Sequence, residues 1–99
     1  MDILATALPA LAEAWGLIWR AVDDEDLMAE ATKLARHLAT QPTAGLAKIK
    51  RALQASLGNG LDAQLDLERD LQREAGRSAD YCEGVEAFME KRKPVFQGR

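Results

Sequence analysis

EGVEAFMEKRKPVFQGR, residues Glu83 to Arg99, brings an apolar helical pattern up against three consecutive cations and a proline. Val85, Phe88 and Met89 recur at helical spacing, and Pro94 stops any continuation because its ring disfavours the helical conformation in the residue before it. Two readings of Lys91, Arg92 and Lys93 follow. Cations complement the negative end of a helix dipole, with Phe88 then continuing a core stripe from Tyr81 and Val85. Alternatively, a cation beside an aromatic ring grips something anionic that also has a flat, stackable part.

Upstream, the same periodicity divides the chain into similar units. Ser78 or Asp80 starts the last helix, and Gly76 ends the one before it. That helix carries Leu61, Leu65, Leu67, Leu71 and Ala75, a face broader than packing on one partner requires. Its Glu68, Asp70 and Glu74 read as a salt-bridged face with Arg69 and Arg73 rather than as paired catalytic carboxylates. Gly58-Asn59-Gly60 terminates a helix that starts at Pro42 and has the stripe Leu46, Ile49, Leu53 and Leu57. Lys48, Lys50 and Arg51 lie mostly off that stripe and read as a solvated face. Leu27, Ala31, Leu34 and Leu38 mark a further helix, with Asp23-Asp24-Glu25-Asp26 as its cap.

Nearer the start, Leu17 to Val22 is short and apolar and reads as a single strand. Pro9 to about Trp15 reads as a short helix with proline near its first turn, broken by Gly16. The expected fold class is mostly α: one short strand plus about four to five amphipathic helices. One strand cannot pair with itself, so the chain reads as the tail of something larger. Trp15 and Trp19 flank the strand and read as contacts of the core or of the missing sheet.

Composition removes several function classes. The 99 residues bound the chain to one domain, and 47% apolar with 29% charged residues argues against disorder. No apolar run reaches the roughly 18–20 residues of a membrane span. No basic flank precedes the apolar start, so a secretory leader is not expected and a cytoplasmic location is. Cys82 is the only cysteine and His37 the only histidine, which leaves no internal disulfide and no thiolate cage, and a zinc site would need ligands from a second chain. The acidic run at residues 23–26 could also be read as a metal site but reads as a cap, so no metal is expected. Cys82 reads as a small packing residue and His37 as a surface or helix-end histidine. A net charge of −3 disfavours nucleic acid, although residues 91–99 form a locally basic end.

Three segments taken in order, AWGLIWRAVDDEDL, LARHLATQPTAGLAKIKRAL and ERDLQREAGRSADYCEGVEAFMEKRKPVFQGR, resemble the C-terminal third of the enoyl-CoA hydratase/isomerase (crotonase) superfamily. The resemblance covers roughly residues 8–99; residues 1–7 match poorly. Leu17-Ile18-Trp19 and Gln64 to Arg69 look closest to the ring-epoxide isomerases of phenylacetyl-CoA breakdown. The resemblance implies the C-terminal helical part of a crotonase fold, with residues 1–22 the end of the core and 23–99 a helical oligomerisation region. It implies a coenzyme A thioester as substrate, no separate cofactor, and homo-oligomers, trimers or hexamers. Carried over residue by residue, Phe88 packs near the adenine and Lys91 approaches a phosphate of a bound CoA. No counterpart of the family's oxyanion loops or catalytic carboxylates is present, so no catalytic residue is expected in this chain and it is expected to be inactive alone. The rival expectation is a free-standing helical module that binds a protein partner through its leucine faces.

Overall fold

A computed structural model describes residues 3–99, with side chains from residue 7 onward. Five α-helices are formed among the described residues: α1 (Ile3–Ala14), α2 (Leu27–Ala39), α3 (Thr43–Ser56), α4 (Leu61–Ala75) and α5 (Ala79–Glu90). The mostly α class holds. The chain divides into two compact units, one up to Leu34 and one from Ala35 onward.

In the first unit the expected strand does not form. Among the described residues there is no β-strand, and residues 17–22 run as bends and irregular backbone. The cause is that no second strand is available to take up the peptide groups of Leu17–Val22, so local partners take some of them instead. The carboxylate of Glu13 accepts the N–H of Ala21 at 2.7 Å. Helix α1 also starts earlier than the proline signal implied, and Pro9 lies inside it rather than in its first turn. Gly16 ends α1 with φ 74°, a left-handed conformation open to glycine because it has no Cβ. The acidic run forms a 3-10 turn, Asp24–Asp26, in which the backbone carbonyl of Asp23 accepts the Asp26 N–H at 2.9 Å. Asp23 makes no side-chain capping bond, so the acids before α2 are left with the dipole alone to complement.

The second unit is built on α3 packed against α4. Leu71 of α4 is 5% exposed and anchors the contact, with Leu46, Ala52, Ala55 and Leu67 half-buried. Gln64 pins the connection: its Nε2 donates to the Ala52 carbonyl at 3.0 Å and to Glu68 at 2.9 Å, and its Oε1 accepts from Asn59 at 3.1 Å. The charged face of α4 carries Asp66–Arg69, Arg69–Asp70 and Asp70–Arg73 pairs at 3.0, 3.1 and 3.6 Å. All are solvent-exposed, where each is worth little. Glu74 pairs instead with Lys48 at 3.8 Å, so Lys48 is not simply solvated.

Burial is sparse. Only Leu71 and Ala87 are buried apolar residues among those described, while Leu53, Leu57, Leu61, Leu65, Phe88 and Met89 stay 54–92% exposed. Trp15 and Trp19 are 69% and 72% exposed.

Candidate functional site

Ser78 rather than Asp80 caps α5: its hydroxyl accepts the Tyr81 N–H at 3.0 Å. Asp80 does something the sequence did not announce. It is 5% exposed, and its two carboxylate oxygens accept the N–H groups of Gln97 and Gly98, each at 2.7 Å. Its own N–H donates to the Arg99 carbonyl at 2.9 Å. Residues 92–99 therefore fold back along α5 as a strap. At its far end Gly98 has φ 80°, and a Cβ there would meet Thr43 Oγ1 at 2.5 Å.

A second carboxylate ties the near end of the strap. Glu83 Oε1 accepts from Arg92 Nη1 at 2.6 Å and Oε2 accepts from Nη2 at 3.1 Å, a two-armed pair that fixes the guanidinium plane. Glu83 Oε1 also accepts the Val95 N–H at 2.8 Å. These bonds, that from Arg92 foremost and that from Val95 next, push the Glu83 carboxyl down to about 2. The Arg92 guanidinium is raised correspondingly, by Glu83 and then by Glu90, whose carboxylate lies 2.5 Å from Nε. Arg92, although 39% exposed, thus ties the strap to α5 through its ion pair with Glu83.

Lys91 directly precedes the near tie. It lies just past α5 with φ 54°, the one non-glycine residue at positive φ among those described. Phe88 lies within α5, and Lys91 is the residue that caps its C-terminal end. Lys91 is exposed and forms no ion pair among the described residues. Phe88 is 81% exposed, so it does not continue a core stripe. With Tyr81 and Val85 it instead lines an open groove of about 400 Å³, closed on the other side by Pro42, Gly45 and Ala75.

Other candidates fall away. Cys82 is exposed, which corrects its reading as a packing residue. His37 is exposed near the end of α2. Among the described residues no group of three or more His, Cys, Asp or Glu could hold a metal ion, and no helix is long and apolar enough to cross a membrane.

Residues 3–99 match the enoyl-CoA hydratase/isomerase family, and the chain belongs to it. The match takes in most of the first seven residues, which the sequence motifs alone had set aside. The 1,2-epoxyphenylacetyl-CoA isomerase of Escherichia coli K12 is 62% identical over 88 residues, covering 89% of this chain and 34% of that protein. A protein named as a probable enoyl-CoA hydratase in Rhodobacter capsulatus is 52% identical over 84 residues, covering 85% and 33%. Among solved structures, enoyl-CoA hydratase subunit I of Geobacillus kaustophilus superposes with a TM-score of 0.82 at 41% identity, covering 91% of this chain and 35% of that one. The chain thus spans about a third of the length of the relatives it matches.

Proposed function

We propose that this chain is the C-terminal helical part of an enzyme acting on acyl-CoA thioesters. It supplies contacts between subunits and one edge of the coenzyme A site, and has no turnover by itself. The observation that carries the site is an 81% exposed Phe88 three residues before an exposed Lys91 that forms no ion pair among the described residues, at a clamped turn. Stacking suits adenine, and an ammonium suits a phosphate as a point charge. The 1,2-epoxyphenylacetyl-CoA relative makes an aromatic acyl group the first substrate to try. Subunit contact is supported by the exposed leucines Leu53, Leu57, Leu61 and Leu65. A homo-oligomer, a trimer or a hexamer, is the expected assembly, in the cytoplasm.

Lys91→Ala in the intact enzyme carrying this chain tests the site. Acyl-CoA affinity should fall about five- to thirtyfold, the worth of one charge-assisted hydrogen bond. The loss should appear in KM with kcat unchanged, because the contact is equal in ground and transition states. An unchanged KM ends the coenzyme A assignment.

A further inference from the structure

Helices α1 and α5 end on the same backbone motif with different residues at its left-handed position. At α1 the position is Gly16, with Leu17 N–H returning to the Ala12 carbonyl at 2.9 Å and Gly16 N–H to Glu13 at 3.0 Å. At α5 it is Lys91, with Arg92 N–H returning to Ala87 at 3.0 Å and Lys91 N–H to Phe88 at 3.3 Å. Glycine is the low-strain choice there, since a Cβ crowds the adjoining carbonyl. A lysine in that place strains the backbone and persists only where its surroundings over-determine it.

We propose that the Glu83–Arg92 ion pair is a positioning device that holds the strained turn at Lys91, so that its ammonium and the Phe88 ring are presented together to a coenzyme A. The inference rests on the coenzyme A reading above and extends it to two residues that touch no ligand.

The geometry supports the assignment on three counts. Arg92 directly follows Lys91 and is fixed at both ends, its N–H on Ala87 and its guanidinium two-armed on Glu83. Glu83 also holds Val95, so the chain is tied on the far side of the turn as well. Glu83 and Glu90 are both engaged by Arg92, and Glu86 forms no ion pair with Lys91 among the described residues, which leaves the Lys91 ammonium uncommitted. A turn whose sole task was to stop α5 would gain from glycine and would need no clamp.

A double-mutant cycle on the intact enzyme, read by calorimetric titration with coenzyme A, tests this. Glu83→Gln should weaken binding about three- to tenfold when Lys91 is present and leave it unchanged in the Lys91→Ala background. Arg92→Lys, which keeps the charge but loses the two-armed geometry, should behave alike and serves if Glu83→Gln folds poorly. With acyl-CoA the effect should fall on KM and spare kcat. Equal losses with and without Lys91, or no loss at all, overturn the positioning role and leave the coenzyme A reading standing. If Lys91→Ala alone leaves coenzyme A affinity unchanged, both fall.

Discussion

Asp80 accepts the N–H of Gly98 at 2.7 Å across 18 residues of chain, while its second oxygen holds Gln97 at the same distance. An amide offers one acceptor oxygen, and its NH2 would face a backbone N–H. Asp80→Asn is therefore expected to cost about 1–2 kcal/mol, the scale of a lost charge-assisted bond to a part-buried donor. Thermal unfolding checks it, and an unshifted midpoint would remove the strap from the account of stability.

Gly98 is expected to tolerate no side chain. Its φ of 80° and the 2.5 Å approach to Thr43 Oγ1 add a backbone and a steric cost. Gly98→Ala should lose about 1–3 kcal/mol. Adding Thr43→Ala should recover the steric part only. Full recovery would mean that the left-handed backbone costs nothing there.

Acid should loosen the near tie in a defined window. The Glu83 carboxyl is depressed from 4.5 to about 2 in the folded chain. Its contribution is then fully present above pH about 4.5 and is lost as pH falls toward 2, because the unfolded state takes up the proton first. The Val95 amide, followed by NMR, should keep its hydrogen-bonded shift until pH nears about 2, where the folded carboxyl itself takes up the proton. The same amide in Glu83→Gln should show no such transition; a transition centred near neutral pH would contradict the clamp.

Lys91→Gly separates stability from binding. Relief of the left-handed lysine should raise stability by about 1 kcal/mol, while coenzyme A affinity falls as it does for Lys91→Ala. A stability loss on Lys91→Gly would make the lysine a structural cap, and the Phe88–Lys91 pair would lose its support.

Much of the segmentation was legible in the sequence because its signals are local. Pro42, Gly58-Asn59-Gly60, Gly76 and Ser78 each act within a turn or two of their own position, and all lie at the element boundaries. The strand at Leu17–Val22 was misread for a physical reason: a β pattern describes a surface that fits a sheet, and nothing in this chain supplies the sheet. The strap was invisible for another. Asp80 and Glu83 bind backbone N–H groups of Gln97, Gly98 and Val95, and an N–H group carries no residue-type signal. Lys91 and Phe88 were named, yet the left-handed backbone at Lys91 was not, because a lysine there carries no local sign of it.

With only Leu71 and Ala87 buried among the described apolar side chains, unfolding wets little new hydrocarbon. The heat capacity of unfolding should then fall below the about 12–15 cal/mol/K per residue of ordinary domains. A small heat-capacity change flattens the stability curve, so the chain should respond weakly to cooling and give broad transitions in both heat and urea. Covering its leucine faces would restore the curvature, which makes calorimetry a gauge of how completely those faces are covered.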